Sequence, residues 1–246
     1  MKGADAKGLR ITADCYPYDF WYSTLRVLVL SRRYDDRDEV VRGVDDNGGP
    51  ENIILSPYAP EPALEGKSLV EIAALKGKDP YAVYMEMIKT TDPTHADPAW
   101  GDDVEGILGR SMREEDIRDF YRDPRVMVSS DGQIHGPHPR GAGAFPRFLA
   151  RYVREAKVVS LEEGVRKMTA LPASVLRLED RGRIAPGMKA DLVVFDPAEV
   201  ADRSTVKDPH AAPVGIPWVI VNGVPVVAED DATPARPGRV LRANTR

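Results

Sequence analysis

The dipeptide Asn222-Gly223, flanked by Trp218-Val-Ile-Val221 and Val224-Pro-Val-Val227, constrains this chain more than any other feature. A two-residue type I′ turn needs positive φ at both central positions, which Asn and Gly accept and branched residues do not. Branched and aromatic residues on both sides then pair across the turn, so the last quarter of the chain holds a β-hairpin. Upstream of it, Pro186-Gly187 marks a turn and Asp191-Leu-Val-Val-Phe-Asp196 reads as a compact apolar strand. Residues 183–246 therefore read as a small β module of about three strands.

The remainder divides by turn signals into three stretches. Arg10 to Tyr16 reads as a short buried strand leading into Pro17. Asp19 to about Trp100 is a mixed segment that reads as a lid or insertion. Within it, Asn52 to Leu55 is a candidate strand, and a helix begins where Asp79 caps Pro80 at the first helical position. The third stretch opens with a helix marked by Ser111 and Glu114 at capping-box spacing and runs into the strand Arg125 to Ser130. Helices are expected at Phe145 to Glu155 and from Ser160, where Glu163 completes a second box. Leu161, Val165, Met168 and Leu171 fall on one face of the latter.

Helix alternating with strand is the grammar of an α/β fold. The first 180 residues nevertheless offer only two clear strands and one weak one, whereas a closed (β/α)₈ barrel needs eight. This chain alone does not close a barrel. A three-stranded terminal sheet likewise needs cover for its apolar face, so both parts are expected to meet a partner or self-associate.

With 42% apolar and 30% charged residues and a net charge of -5, the composition is that of a globular protein without a positive field for nucleic acid. A single cysteine, Cys15, excludes an intrachain disulfide framework and any C-x-x-C pair. Met1 to Leu9 has no apolar core of the signal-peptide kind, and the apolar run at Val27 to Leu30 is too short for a bilayer. The expectation is a cytoplasmic protein with no membrane partner.

Asp131 carries the strongest chemical signal. It follows the strand ending Ser129-Ser130 and precedes Gly132, so it stands at the C-terminal end of a strand, the face where barrel enzymes place their catalysts. A loop aspartate capping its own turn is the alternative. The following span, Gln133 to Arg147, gathers His135, His138, Arg140, Arg147 and several glycines, a composition suited to a small anionic group. Two histidines three residues apart with Pro137 between them are a poor metal pair, and structural histidines fit as well. Asp14-Cys-Tyr-Pro-Tyr18 with Ser23-Thr24 places phenols and hydroxyls at the exit of the first strand, where they either hydrogen-bond a substrate or simply pack. Cys15 lacks an identifiable histidine partner and reads as a small buried residue. His95 and His210 lie in Asp/Pro-rich loops without informative spacing.

Several of these segments, in order and over nearly the whole chain, resemble the N-acyl-D-amino-acid deacylases, or D-aminoacylases, of the amidohydrolase superfamily. Asp14-Cys-Tyr-Pro-Tyr18 and Ser23-Thr24 resemble the family's seventh barrel strand and substrate turn, and Asp19 to about Trp100 its insertion. Ser130-Asp-Gly132, His138-Pro-Arg-Gly141 and Phe145-Pro-Arg147 are similar to its eighth-strand motif. Gly182-Arg-Ile-Ala-Pro-Gly187 with Ala190-Asp-Leu-Val-Val-Phe-Asp196 looks like the superfamily's passage from barrel to β-sandwich, and Asn222-Gly-Val-Pro-Val226 and Ala235-Arg-Pro-Gly-Arg239 like its ending.

The resemblance implies an α/β fold: residues 1–182 as the C-terminal part of a metal-dependent (β/α)₈ TIM-like barrel with an insertion at about 19–100, and residues 183–246 as part of a small β-sandwich. It implies zinc-dependent hydrolysis of N-acyl-D-amino acids, with Asp131 as catalytic base and acid and as a metal ligand. Tyr16, Ser23 and Arg140 would contact substrate. Asp19-Phe-Trp-Tyr22 departs from the family's small polar residues and shifts the spacing of Ser23 by about one. The family's His-x-His, metal-binding cysteine and later histidines belong before Asp14, where only 13 residues stand. Most zinc ligands are thus expected in a separate N-terminal half. The competing readings are a non-catalytic structural or interaction module, and a cyclic amidase such as a dihydropyrimidinase, against which the Ser130-Asp-Gly and His138-Pro-Arg-Gly segments argue.

Overall fold

The computed structural model describes residues 3, 6–93, 97, 104–133 and 135–242. His95 and the expected end of the insertion at Trp100 lie outside the described residues. The chain is mixed α/β and forms two compact units, one of Met1–Tyr18 with Glu114–Arg246 and one of Asp19–Arg113.

In the first unit β1 (Ala13–Cys15) pairs in parallel with β5 (Val126–Val128), Ala13 opposite Val126 and Cys15 opposite Val128. The strand expected from Arg10 is shorter because only these three residues find a partner; Arg10, Ile11 and Thr12 are exposed. Before β5 lies α4 (Glu114–Arg122), which buries Ile117 and Tyr121. It does not start from a cap at Ser111. Ser111 is exposed, and Glu114 turns its carboxylate to Arg118, Arg151 and the Tyr152 hydroxyl instead of back to the chain end.

After the strand, α5 (Arg140–Arg147) begins five residues earlier than the expected Phe145. Close approach explains this. A Cβ on Gly141 would lie 2.8 Å from the Gln133 carbonyl oxygen, and one on Gly143 would lie 2.2 Å from Ser204 Oγ. The glycines that read as loop are therefore helical positions where nothing larger fits. Pro146 removes a donor from the helix, and the chain then widens into a π-helix over Phe148–Glu155. Phe148 and Tyr152 from this stretch pack edge to face on Tyr121, with centroids 4.6 and 5.1 Å away.

The helix α6 (Leu161–Met168) starts as expected, Ser160 Oγ accepting from Glu163 N at 3.2 Å. Its carboxylate partner is not reciprocal; Glu163 pairs with Arg166 at 2.6 Å. The expected apolar face is only half-buried, and Leu171 falls in the next helix, α7 (Ala170–Val175). What α6 buries fully is Lys167, whose Nζ donates to the carbonyls of Asp123 at 2.5 Å and Val126 at 3.0 Å.

The terminal module is a four-stranded antiparallel sheet rather than a three-stranded one, in the order β6 (Leu192–Val194), β7 (Trp218–Val221), β8 (Val224–Ala228), β9 (Asp231–Ala232). The hairpin is as read: Asn222 and Gly223 take φ of 50° and 82° between β7 and β8. Val193 and Val194 remain 56% and 51% exposed, so this sheet has apolar surface without cover.

The second unit is an antiparallel sheet in the order β2 (Phe20–Ser23), β4 (Glu105–Arg110), β3 (Ile53–Tyr58). The helices α1 (Arg37–Asp46), α2 (Leu69–Lys76) and α3 (Pro80–Thr90) bury Val40, Val44, Ile72, Tyr84 and Ile88 in one core with Ile53, Leu55 and Ile107. Asp79 caps α3 as expected, accepting from Ala82 N at 2.9 Å. The first and last strands pair with each other, Phe20 opposite Arg110. At the heart of the unit the buried Glu105 carboxylate bonds Arg26 at 2.8 Å and the Leu25 amide at 2.6 Å. Burial outweighs these partners and raises its pKa.

Candidate active site

Asp131, Arg140 and Tyr16 converge beyond the carboxyl ends of the two parallel strands. Ser129 N still bonds the Cys15 carbonyl at 3.0 Å, so both chains leave the sheet side by side. Two residues on, Asp131 adopts φ 45°, a left-handed conformation that aspartate tolerates better than most. Gly132 must follow, since a Cβ there would lie 2.3 Å from the Gly141 Cα. The turn thus pins Asp131 against the start of α5. Arg140 Nη2 reaches its carboxylate at 2.9 Å, and the Arg140 guanidinium carbon lies 4.7 Å from the centre of the Tyr16 ring.

The exposures divide the labour. Arg140's side chain is 10% exposed and that of Asp131 65%, so the arginine is part of the wall and the carboxylate faces outward. A pair this open contributes no more than about 1 kcal/mol, and its effect is to aim the carboxylate. Burial raises the Tyr16 pKa, with Arg140 opposing, which leaves the phenol as a hydrogen-bond donor at neutral pH.

His138 is the residue whose part the sequence did not disclose. It is buried at 4% exposure, edge to face with Tyr16 at 6.0 Å and Tyr18 at 5.1 Å. Its Nδ1 accepts from Arg140 N at 3.0 Å, which places the proton of a neutral ring on Nε2. His138 is thus a strut beneath Arg140. The alternation Tyr16-Pro-Tyr18, two phenols on one side of an extended chain, is the signal that a ring would wedge there. Next to it, Pro139 O accepts from Ser204 Oγ at 3.0 Å and Tyr18 OH at 3.5 Å, while Arg147 covers the Tyr18 ring and bonds Pro17 O at 2.7 Å.

Ser23 belongs to the second unit. It ends β2, opposite Ile107. Cys15 is buried, and desolvation raises its thiol to about 11, so it is no nucleophile at neutral pH. His135 and His210 meet edge to face with centroids 6.4 Å apart. Among the described residues no group of three or more His, Cys, Asp or Glu could hold a metal ion. The donors present, one carboxylate already paired to a guanidinium, do not by themselves fit a zinc.

The amidohydrolase family model matches residues 62–227. The chain is 38% identical over 97% of its length to an N-acyl-D-glutamate deacylase of Alcaligenes xylosoxydans xylosoxydans, and 41% identical over 76% to a D-aminoacylase of the same organism. It spans 43% and 36% of those proteins, less than half of each. The N-acyl-D-glutamate deacylase of Bordetella bronchiseptica, solved with zinc and a phosphonate mimic of the tetrahedral intermediate, superposes with a TM-score of 0.74 at 34% identity. The match covers 98% of this chain and 44% of that one. The chain belongs to the amidohydrolase family. Within it, its close relatives are hydrolases named for N-acyl-D-amino acids.

Proposed function

We propose that the protein carrying these residues hydrolyses the amide bond of N-acyl-D-amino acids with zinc as cofactor. The observation that carries the reading is the convergence of Asp131, Arg140 and Tyr16 at the carboxyl ends of paired parallel strands, in a chain similar to such deacylases over 97% of its length. Residues 1–182 would be the last part of a (β/α)₈ barrel, interrupted by the insertion, and residues 183–246 part of a β-sandwich. The half-exposed strands β6 to β9 and the two lone parallel strands suit such shares of larger sheets.

Asp131 takes the proton of the attacking water and returns it to the leaving nitrogen, the task of an outward-facing carboxylate held by one arginine. Arg140 and Tyr16 present donors to the substrate's carboxylate or acyl oxygen. Asp131 also contributes to the metal site, whose other ligands lie in polypeptide outside these 246 residues, in a preceding segment or a separate chain. No helix among the described residues is long and apolar enough to cross a membrane.

The test is Asp131→Asn in the full-length protein, assayed on N-acetyl-D-methionine alongside metal analysis. A loss of roughly 10²–10⁴-fold in kcat with zinc largely retained is expected for removal of a general base. Turnover within a few-fold of the parent refutes the role.

A further inference from the structure

The peptide group joining Pro139 to Arg140 is held at both of its polar atoms. Its carbonyl accepts from Ser204 Oγ at 3.0 Å and Tyr18 OH at 3.5 Å, besides the first helical bond from Gly143 N at 2.8 Å. Its N–H donates to His138 Nδ1 at 3.0 Å. Ser204, Tyr18 and His138 are 7%, 3% and 4% exposed, so water does not compete for these bonds. Gly143 makes the space for them: a Cβ there would lie 2.2 Å from Ser204 Oγ, 2.3 Å from the Tyr18 hydroxyl and 3.3 Å from Asp202 Cβ. Asp202 takes the far end of the same helix, its carboxylate 3.4 Å from Arg147 Nη1, while Arg147 Nε donates to Pro17 O at 2.7 Å. The segment that carries Asp202 and Ser204 is itself fixed. Ala201 and Val214 exchange both backbone bonds, at 3.3 and 3.0 Å, and Arg154 donates to Val200 O at 2.7 Å. All of these residues belong to the first unit.

We propose that Asp202 and Ser204 are positioning residues for Arg140, holding the two ends of α5 so that the guanidinium stays on Asp131 and over the Tyr16 ring. This rests on the deacylase reading and adds to it two residues that act only through Arg140. The Arg140 side chain is 10% exposed and its partner carboxylate 65%, and a pair so open is too weak to hold itself in place. The orientation of the guanidinium is therefore set from inside, by the backbone it springs from. Ser204 fixes that backbone at the Pro139 carbonyl, and Asp202 fixes the other end of the helix through Arg147. A shift of the Pro139–Arg140 peptide travels along the side chain to its head, and displacement of a substrate-positioning group by about 1 Å is enough to impair turnover strongly.

The test is a cycle in the full-length protein: Ser204→Ala and Asp202→Asn, each alone and combined with Arg140→Met, assayed on N-acetyl-D-methionine and N-acetyl-D-glutamate. Each single variant should raise KM about 10-fold on the better substrate, with kcat within about 3-fold and zinc content unchanged. In the Arg140→Met background neither should raise KM further, because the group they position is gone. A KM increase of the same size in both backgrounds shows a role apart from Arg140 and overturns the proposal. So does an unchanged KM, or a loss confined to kcat, and in each case the deacylase reading stands. If one variant fails to fold, the other decides. If the unaltered protein cleaves neither substrate, the deacylase reading falls separately, and crystal structures of the parent and the two single variants decide the positioning: an Arg140 guanidinium displaced by about 1 Å or more upholds it, and one that has not moved overturns it.

Discussion

Replacing Lys167 with Met should destabilise the first unit by about 2 kcal/mol. The Lys167 side chain is fully buried, and its Nζ donates to the carbonyls of Asp123 and Val126 while lying 3.6 Å from Glu163 Oε1. Methionine keeps the stem and its packing but removes both bonds. Hydrogen bonds from a charged donor contribute ~1.5–3 kcal/mol each, and the two stranded carbonyls add a desolvation cost. Against this stands relief from burying an ammonium group, the effect that lowers the Lys167 pKa below its ordinary 10.5 and outweighs the opposing pull of Glu163. The bonds win by a modest margin, which corresponds to a Tm drop of roughly 4–8 °C.

The pH dependence gives a second readout. Between its lowered folded value and 10.5, Lys167 binds its proton less tightly in the folded state than in the unfolded. Its contribution therefore penalises folding below the folded value, and the penalty is relieved as pH rises through that window. The parent should gain stability there relative to the Met variant. Urea unfolding at pH 7 and at steps to pH 10.5 measures both effects. A variant as stable as the parent at pH 7, or more stable, would show that desolvation cancels the bonds and would refute the reasoning.

Three further outcomes are expected. Cys15 should resist alkylation at pH 8 in the folded protein and react fully in denaturant. Because its thiol is raised to about 11 by burial, its share of stability is present below the ordinary 9.0 and is lost as pH climbs through 11; prompt reaction at pH 8 contradicts this. Gly109→Ala would set a Cβ 2.2 Å from Trp21 Cζ2, so it should cost the second unit about 1–3 kcal/mol and shift indole fluorescence; an unchanged urea midpoint and spectrum would show that the ring moves freely. The 246 residues expressed alone should lose zinc on dialysis, since one carboxylate is a weak site; stoichiometric zinc would place more ligands within them than we propose.

Local chemistry that acts on nearest neighbours was legible. The Asn222-Gly223 turn, the Asp79 and Ser160 caps and the position of Asp131 just past a strand end each follow from a few adjacent residues. What escaped depends on partners far along the chain. Strand β4 carries Gly106 and Gly109, which argue against a strand, but Tyr22 and Trp21 lay their rings across those positions and leave no room for a Cβ. The start of α5 was masked in the same way, its glycines answering to Gln133 and Ser204. His138 looked like half of a poor metal pair, and only the tertiary fold shows it wedged between Tyr16 and Tyr18. The Ser111 cap was misread because Glu114 finds better partners in Arg118, Arg151 and Tyr152.

The pairing of Phe20 with Arg110 means that the second unit's chain enters and leaves through neighbouring strands of one sheet, with Met112 N reaching Asp19 O at 3.4 Å. Such a segment has both of its ends on adjacent strands of one sheet. Evolution can swap it, lengthen it or trim it without rethreading the host. A protein engineer could do the same, excising Asp19–Arg113 behind a few-residue bridge or grafting it into a surface turn of another scaffold, because its two ends already stand a strand's width apart.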